Sequence, residues 1–300
     1  MDKLLWMRCF VRAVETGSFS AVAREMQIGQ PNVSRHIASL EKLLDTRLLH
    51  RSTRRLTTTP EGQRYYGQAR HALDVISQAE SDARGEQNPH GLLRVSCAES
   101  LGTEKLMAVL PDFLARYPGI EVDLRFGDDY VDLVAEGVDV AIRGGVLQDS
   151  ALRARRIGSS ERIYVASSDY LEAHGVPQQP ADLSGHQCIV YTLMAGNSGA
   201  WPFREGDIHV RGRLRLNSLE GIRRAVMRHL GIGYLPSWMV ADELRSGALR
   251  AVLTAHAGAH TPLNALYSAE RLLPQRASVF IDYIAGVFAE IPGLNGSSLV

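Results

Sequence analysis

The sequence predicts a multidomain α/β fold, in which a small helical domain and a linker helix precede a larger two-lobed α/β domain. The length of 300 residues exceeds what one compact core usually fills and suggests two or three domains. Helical periodicity continues up to Leu44 and is followed by a short pair of strands, whereas strands and helices alternate from Leu92 onward. Such alternation is typical of parallel sheets with right-handed crossovers.

The composition is that of an ordinary globular protein, with 45% hydrophobic and 22% charged residues. Charged side chains interrupt residues 1–20, so the sequence indicates neither a signal peptide nor a spanning segment, and we expect a cytoplasmic protein with no membrane partner. The cysteines are Cys9, Cys97 and Cys188. Their odd number and wide spacing favour reduced buried thiols over disulfides or a zinc site, with redox sensing left open as the alternative.

Charge is distributed unevenly along the chain. The whole sequence has 33 basic and 33 acidic side chains, but residues 1–60 contain ten lysines and arginines against five aspartates and glutamates. A basic N-terminal segment on an acidic body indicates that one domain contacts nucleic acid and the other does not. Scattered solvated charge is the simpler alternative at this point.

The first domain has the pattern of three short helices. Thr16-Gly17-Ser18 ends the first helix and offers Ser18 as the N-cap of the second, which runs into a tight turn at Gln27-Ile28-Gly29. The third helix begins at Gln30-Pro31, because proline is tolerated in a first helical turn. Inward-facing positions at helical spacing are Leu5, Phe10, Val11, Val14, then Phe19, Val22, Ala23, Met26, then Val33, Ile37, Leu40 and Leu44.

The third helix presents polar side chains opposite its apolar stripe. These are Asn32, Arg35, His36 and Ser39. Two helices joined by a short glycine-containing turn, with polar residues outward on the second, are typical of a helix-turn-helix whose second helix enters the major groove. This pattern alone leaves an ordinary helical hairpin open.

The following segment predicts a two-stranded wing. Residues Thr46 to Pro60 alternate β-forming residues with arginines and hydroxyls. Such donors at a hairpin tip suit phosphate oxygens, and contacts of this kind position a protein on DNA without reading sequence. We therefore expect the wing residues Arg51, Thr53, Arg54 and Arg55 to contact phosphates. We expect the same of Ser34 on the third helix.

The run from Phe10 to Gly62 resembles the DNA-binding domain of LysR-type transcriptional regulators. The motifs that carry the resemblance are Ser18-Phe19-Ser20-Ala21-Val22-Ala23, Gln30-Pro31-Asn32-Val33-Ser34-Arg35-His36-Ile37, Leu40-Glu41, Leu48-Leu49-His50-Arg51 and Leu56-Thr57-Thr58-Thr59-Pro60-Glu61-Gly62. Gly29 departs from the Ser or Thr that the family usually has there, but glycine is an acceptable N-cap.

The resemblance implies a sequence-specific transcriptional regulator that binds double-stranded promoter DNA. It implies a winged helix-turn-helix over residues 1–60, a dimerising linker helix over 61–87 and an effector-binding domain over 88–300. Lobe one of that domain is expected at 91–161 and 270–292, and lobe two at 168–264. The expected DNA-binding residues are Gln30, Pro31, Asn32, Ser34, Arg35, His36, Arg51, Thr53, Arg54 and Arg55.

Glu61 to Gly85 is predicted to be helical. The apolar residues Tyr65, Ala69, Ala72, Ile76, Ala79 and Ala83 alternate steps of four and three, which forms a heptad seam of mostly small residues. Packing of this helix on its own domain is the alternative from spacing alone. The resemblance implies instead that the linker pairs two subunits, in a homodimer or a homotetramer.

The second half has the pattern of two α/β lobes. In the first, the expected strands are Leu92–Ala98, Ile120–Phe126 and Val138–Arg143, with helices Gly102–Tyr117 and Tyr130–Glu136. In the second, strands Cys188–Tyr191, His209–Asn217 and Gly231–Leu235 accompany helices Ser218–Leu230 and Ser237–Ser246, with capping-box spacing at Asn217 and Glu220. Extended connections Glu161–Ser167 and Asn264–Ala269 and a returning helix Gln275–Glu290 complete a domain that resembles the periplasmic-binding-protein-like sensor of this family.

Ligands of open α/β sheets bind beyond the carboxyl ends of strands, often at helix N-termini that favour anions. This rule and similar positions in the family select Ser100, Arg143, Thr192 and Ser218 as contacts of a small organic effector, possibly anionic. Helix capping is the alternative for Ser100 and Ser218, and an ion pair is the alternative for Arg143. The Glu99 carboxylate would repel an anion unless it points away from the pocket.

Nothing in the sequence indicates an enzyme. It contains no G-x-S-x-G, P-loop or H-E-x-x-H motif, and its glycine pairs are too common to indicate a dinucleotide site, so we expect no cofactor and no metal. A small-molecule binding module without a regulatory role is the alternative function. The predicted wing and the absence of a signal peptide argue against it.

Overall fold

The computed structural model describes residues 2–51, 56–84, 88–129, 132–145, 152–193, 199–269 and 272–297. No helix in these ranges is both long enough and apolar enough to cross a membrane.

Three helices form the N-terminal domain, as the sequence predicts. They are α1 (Lys3–Thr16), α2 (Phe19–Glu25) and α3 (Gln30–Leu44). Ser18 is the N-cap of α2, and its side chain accepts a hydrogen bond from the backbone N–H of Ala21. The core side chains of the three helices are Phe10, Val11, Val22, Ala23, Val33, Ile37 and Leu40. Burying this shared apolar surface holds the helices together.

The turn between α2 and α3 uses a non-glycine residue in the left-handed region. Gln27 has φ of 55°, whereas Gly29 is extended, with φ of −67° and ψ of 141°, and is the N-cap of α3. Because Gly29 has no side chain, it makes no side-chain capping bond. Pro31 lies in the first turn, where its missing N–H costs no helical hydrogen bond.

The predicted wing is present. Strands β1 (Leu49–Arg51) and β2 (Leu56–Thr58) pair antiparallel, with His50 opposite Thr57. The Glu41 side chain of α3 accepts hydrogen bonds from the backbone N–H groups of Leu48 and Leu49. The base of the wing is thereby anchored to α3.

Helix α4 (Pro60–Ala83) begins directly after the wing. Thr59 donates its hydroxyl hydrogen to the carbonyl of Arg47 and accepts from the N–H of Gly62. A Cβ on Gly62 would lie 1.9 Å from the carbonyl oxygen of Leu48. Glycine is therefore required here because helix and wing backbone approach each other closely.

The first half of α4 packs on its own domain. Ala69 is only 1% exposed, Tyr65 contacts the α1 residue Phe10 with ring centroids 5.6 Å apart, and Ala72 also packs on this core. The expectation that the whole heptad seam is available to a second subunit is wrong for this half. Farther along, Val75 and Ala79 are exposed.

Lobe one is built on one mixed sheet. Its strands within the described ranges are β3 (Gly91–Cys97), β4 (Ile120–Phe126), β5 (Val140–Gly144), β6 (Leu152–Ser160) and β14 (Thr261–Ser268), in the order β4-β3-β5-β14-β6. Strands β4, β3 and β5 run parallel, while β14 is antiparallel to β5 and β6. The helical elements are α5 (Glu99–Leu101), a π-helical turn (Gly102–Leu106), α6 (Met107–Arg116) and α10 (Gln275–Glu290). As expected, α10 returns to this lobe, with Phe280 edge-on against Phe113.

Two expectations for lobe one are wrong. The described part of the predicted helix Tyr130–Glu136 forms turns, because the Asp132 carboxylate accepts the N–H groups of Val134 and Ala135 and so competes with helical bonding. The chain also rejoins lobe one before the expected Asn264. Thr261 already pairs with Ser160 in the sheet.

Lobe two has antiparallel pairing at its centre. In the described ranges, β7 (Arg162–Ser167) lies between β12 (Gly233–Pro236) and β13 (Leu249–Val252). Two short pairs complete it, namely β8 (Val190–Tyr191) with β11 (Arg215–Leu216), and β9 (Ala200–Phe203) with β10 (Gly206–His209). The helices are α7 (Ser168–His174), α8 (Leu219–Met227) and α9 (Ala241–Ser246), with 3₁₀ turns at Pro180–Gly185, Ser237–Met239 and Thr254–His256.

Three details of lobe two differ from expectation. The predicted strand His209–Asn217 is divided between the end of β10 and β11, and the predicted helix Ser237–Ser246 is a 3₁₀ turn followed by α9. The cap of α8 is Ser218 instead of Asn217. Ser218 is extended and its hydroxyl accepts from the N–H of Gly221, so the capping position lies one residue later than expected.

Candidate functional site

Helix α3 presents a polar face away from the domain core. Gln30, Pro31 and Arg35 are exposed, while Asn32, Ser34 and His36 are partly exposed. The side chain of Arg35 donates to the Asn32 amide oxygen over 2.7 Å. The helix therefore carries donors and acceptors of the kind that read base edges in a major groove.

The predicted wing contacts can be located only in part. Thr53, Arg54 and Arg55 lie outside the described residues. The backbone of Arg51 ends β1 opposite Leu56. The wing base adjoins α3, so a duplex on the polar face of α3 would lie beside this hairpin.

A cavity of about 640 Å³ opens between the two lobes. This volume lies in the range of small-molecule sites, roughly 300–1,000 Å³. The apolar part of its wall comes from both lobes and comprises Ala98, Leu101, Tyr191, Leu193, Ala200, Pro202, Leu219, Tyr234, Pro236, Trp238, Ala259, Pro262 and Leu263.

Arg143 lies in the wall of this cavity at the end of β5 and is 9% exposed. Its guanidinium donates to the Ser96 hydroxyl over 2.8 Å, to the carbonyl of Ile142 over 3.0 Å and to the carbonyl of Asp129 over 3.2 Å. These bonds hold the cation in one orientation. These three acceptors are neutral.

Ser100 also lies in the wall, in the first helical turn after β3. Its side chain is buried, and its hydroxyl has no hydrogen-bond partner among the described residues. The N-cap of α5 is Ala98, so helix capping does not explain Ser100. A buried hydroxyl without a partner is costly unless something supplies one.

The other two expected contacts lie beside the wall. Thr192 donates its hydroxyl to the carbonyl of Leu216, and Ser218 caps α8. Their neighbours Tyr191, Leu193 and Leu219 line the cavity, whereas Thr192 and Ser218 are not among its lining residues. The structure therefore brings Ser100 and Arg143 together in the wall and leaves these two at its border.

Several wall residues were not expected from the sequence. Arg162 lies over the ring of Tyr234, 5.7 Å from its centroid, and Trp238 donates its indole N–H to the Ser160 hydroxyl over 3.0 Å. Lys105, which is not among the residues that line the cavity, places its ammonium group 5.3 Å from the Trp238 ring centroid. The rule that ligands bind beyond the carboxyl ends of strands does not predict these residues. Arg162 and Tyr234 lie at the cleft because of the antiparallel strand pairing in lobe two.

Acidic groups also lie at the cavity. Asp128 accepts from the N–H of Glu99 over 3.1 Å. Burial, together with the neighbouring Asp128 carboxylate, raises the pKa of Tyr191, so its phenol stays protonated at neutral pH. Glu99 itself is exposed and does not line the cavity, which removes the expected repulsion from that residue.

The three cysteines are buried and unpaired. Burial raises the pKa of Cys9 to about 11 and that of Cys97 and Cys188 to about 12. Such thiols are almost fully protonated at neutral pH and react slowly. Among the described residues, no group of three or more His, Cys, Asp or Glu is placed to hold a metal ion.

Comparison with known proteins finds a matching protein family for each half of the chain. Residues 4–63 match the bacterial regulatory helix-turn-helix protein, lysR family, and residues 86–289 match the LysR substrate binding domain. The chain is 33% identical over 295 residues to the HTH-type transcriptional activator AaeR of Escherichia coli, covering 97% of this chain and 96% of the relative.

Solved structures agree with this assignment. The structure of CrgA, a LysR-type transcriptional regulator from Neisseria meningitidis, is 32% identical with a TM-score of 0.60, covering 96% of this chain and 98% of that one. The full-length structure of AphB, a virulence activator of Vibrio cholerae, is 29% identical with a TM-score of 0.57, covering 94% and 98%. The chain therefore belongs to the LysR family of transcriptional regulators, with a helix-turn-helix DNA-binding domain and a two-lobed effector-binding domain.

Proposed function

We propose that a small organic anion binds between the lobes of this regulator and changes how a homo-oligomer sits on promoter DNA. The observation that carries the proposal is that the buried guanidinium of Arg143 lines the same cavity as the buried hydroxyl of Ser100, which has no hydrogen-bond partner among the described residues. A carboxylate could accept from both. Thr192 and Ser218 remain predicted contacts at the border of the cavity.

The side chains of the cavity wall favour an anionic ligand. Arg143 and Arg162 line the cavity together with aromatic and aliphatic side chains. An arginine in such poorly solvated surroundings attracts an anion more strongly than one in water, because the effective dielectric constant is lower. The Asp128 and Asp207 carboxylates also line the cavity and oppose this attraction. Asp128 already accepts a backbone hydrogen bond and lies against Tyr191, and Asp207 is exposed, so that water screens its charge.

The ligand can change DNA binding only if it binds one arrangement of the lobes more tightly than another. A molecule that contacts both lobes stabilises one lobe arrangement, and it shifts the DNA-bound state by no more than its preference for that arrangement. The variant that tests the cavity is Ser100→Val.

For DNA, we propose that the α3 residues Gln30, Pro31, Asn32, Arg35 and His36 lie in or at the major groove. Ser34 and the wing residues Arg51, Thr53, Arg54 and Arg55 would hold phosphates. The exposed polar face of α3 supports this division, since base contacts specify sequence while phosphate contacts position the domain.

Replacing Arg35 with alanine is expected to relax base preference. If its guanidinium makes a bidentate contact to guanine, the cost on the preferred site is about 1–3 kcal/mol. The measurement is binding to a randomised operator library. Arg54→Ala is the matched comparison and should weaken binding to all sequences alike, with the salt slope reduced by about one unit. Identical specificity profiles for the two variants would contradict this division of labour.

For assembly, we propose that the second half of α4 pairs with the same segment of another subunit. Val75 is 38% exposed and Ala79 is exposed, and small side chains allow two helices to approach closely. Two recognition helices on one assembly would read two half-sites and so increase discrimination.

Introducing a charge by Ala79→Glu is expected to weaken the dimer, because two like charges would meet at a close crossing. We choose Ala79 instead of Ala72, since Ala72 packs on its own domain and a charge there would disturb folding. Ser77→Glu is the control, with the same charge about 200° around the same helix. Sedimentation analysis at several concentrations measures the effect, and an unchanged dimer in Ala79→Glu would refute the pairing.

A further inference from the structure

The carboxylate of Asp128 lies at the lobe-one end of the cavity. Asp128 follows β4 and is partly buried, and it lines the cavity together with Ser100 and Arg143. One of its oxygens accepts a hydrogen bond from the backbone N–H of Glu99 over 3.1 Å, which places the carboxylate beside the residue that precedes Ser100. We call the three cavity residues Ser100, Asp128 and Arg143 the polar corner.

Hydrogen bonds on both sides of Asp128 hold the backbone that carries it. The N–H of Gly127 donates to the carbonyl of Cys97 over 3.1 Å, and the Arg143 guanidinium donates to the carbonyl of Asp129 over 3.2 Å. Cys97 ends β3 and Arg143 lies near the end of β5. The polar corner therefore has a fixed geometry that is set by two neighbouring strands of the lobe-one sheet.

A phenol of lobe two reaches the same carboxylate across the cleft. Tyr191 ends β8 and lines the cavity, and its hydroxyl is hydrogen-bonded to Asp128. Burial raises the pKa of this phenol, the Asp128 carboxylate raises it further, and the Arg162 and Arg143 cations lower it. The phenol is therefore protonated and is the donor. Two arginines act at the same place and offset the charge of Asp128.

The Asp128 carboxylate can accept a further hydrogen bond. An ionised carboxylate has acceptor sites for about four donors, and the bonds from Glu99 and Tyr191 use two of them. The other carboxylate of the cavity wall, Asp207, is on β10 and exposed, so water can supply its donors. A ligand in the polar corner thus meets an acceptor that rewards a donor group.

A carboxylate without a donor beside it fits the polar corner poorly. Arg143 and the Ser100 hydroxyl favour it, but the Asp128 carboxylate would face it directly. Two neighbouring carboxylates repel each other unless a hydrogen lies between them. A hydroxyl on the carbon next to the ligand carboxylate supplies that hydrogen and adds no charge. An ammonium group would also supply it, but would lie beside the Arg143 and Arg162 cations.

We infer that Asp128 determines the specificity of the cavity, and that the ligand is an α-hydroxycarboxylic acid with an apolar body. Its carboxylate accepts from Arg143 and Ser100, its hydroxyl donates to Asp128, and its body packs on the apolar part of the wall. This role of Asp128 rests on the proposed function, because it requires an anion between the lobes.

The test compares acids that differ only at the carbon next to the carboxylate. Phenylpropionate, phenyllactate and phenylalanine carry hydrogen, hydroxyl and ammonium there, and propionate, lactate and alanine form a smaller set. Titration calorimetry on the full-length chain measures binding. We expect the tighter-binding enantiomer of a hydroxy acid to bind at least about tenfold more tightly than the unsubstituted acid, since a site built to hydrogen-bond a hydroxyl rejects the analogue that lacks it. The amino acid should bind more weakly than the hydroxy acid.

Asp128→Asn is expected to reduce the preference for the hydroxyl to less than about threefold, because a hydrogen bond to a neutral acceptor is weaker. It should also tighten binding of the unsubstituted acid, since the repelling charge is gone, and a folding defect cannot tighten binding. Glu99→Gln is the matched control. The Glu99 carboxylate is exposed and lies outside the cavity wall, so this variant should keep the native preference.

Equal binding of phenylpropionate and phenyllactate by the native chain would overturn the inference and leave an anionic ligand in place. Tightest binding of phenylalanine would overturn it as well, in favour of an amino acid. Loss of the hydroxyl preference in Asp207→Asn, with the preference kept in Asp128→Asn, would show that Asp128 is not the determinant. If no acid of either set bound at millimolar concentration, the proposed function itself would fail.

Discussion

Replacing Ser100 with valine is expected to remove the transcriptional response at effector concentrations that saturate the native protein. The Ser100 hydroxyl is buried in the cavity wall without a partner among the described residues, so a ligand is its natural acceptor or donor. A hydrogen bond to a charged group contributes about 1.5–3 kcal/mol, which corresponds to roughly tenfold to hundredfold in affinity. The measurement is reporter transcription from the target promoter against concentration of an inducer found by screening small organic acids.

The fold should tolerate this change. Since the hydroxyl makes no hydrogen bond to any residue that the structure describes, the melting temperature and the gel shift of the free protein should stay nearly unchanged. Ser237→Ala is the control, because Ser237 carries another buried hydroxyl for which the described part of the chain supplies no hydrogen-bond partner, and Ser237 does not line the cavity. A normal response in Ser100→Val, or outright loss of DNA binding, would show that the cavity is not the sensing site.

Gly62→Ala is expected to unfold the junction between the wing and α4. The added Cβ would lie 1.9 Å from the Leu48 carbonyl oxygen and 2.8 Å from its carbon, and backbone atoms cannot move aside as a flexible side chain can. Shifting the helix would break the hydrogen bonds that Thr59 makes to Leu48 and Arg47. We expect a loss of about 3 kcal/mol or more, at the upper end of overpacking effects.

Hydrogen exchange in α3 measures this loss within the full-length chain, and DNA binding should fall with it. Gly286→Ala is the control. Gly286 lies in the interior of α10 with open space around its Cβ position, so alanine should stabilise that helix by up to about 1 kcal/mol. Equal stability of the two variants would mean that the close approach at Gly62 is relieved at little cost.

The DNA-binding domain could be predicted in detail because its determinants are local. The cap at Ser18, the proline in the first turn of α3 and the apolar stripe through Val33, Ile37 and Leu40 each depend on residues a few positions apart. Helix capping and amphipathic spacing act over such distances. Even here the left-handed residue of the turn, Gln27, was not predictable, since glycine is the residue that usually takes that conformation.

The cavity could be predicted only where it follows strand ends. Ser100 and Arg143 satisfy that rule, whereas Arg162 and Tyr234 reach the wall through the antiparallel pairing of β7 with β12, in which Arg162 lies opposite Pro236. Pairing between strands far apart in sequence leaves no local pattern. For the same reason, the sequence does not predict the hydrogen bond that Arg94 donates to Glu15, since these residues are 79 positions apart.

Burial of all three native thiols makes it possible to label this protein selectively and measure movement of the lobes. The raised pKa values of Cys9, Cys97 and Cys188 leave little thiolate at neutral pH, so these thiols should react very slowly with a maleimide dye. A cysteine introduced at the surface should react much faster. Asp112 on α6 and Ala173 on α7 are exposed, one in each lobe. Fluorophores attached through Asp112→Cys and Ala173→Cys would therefore report lobe closure by energy transfer in a chain whose own cysteines need not be removed.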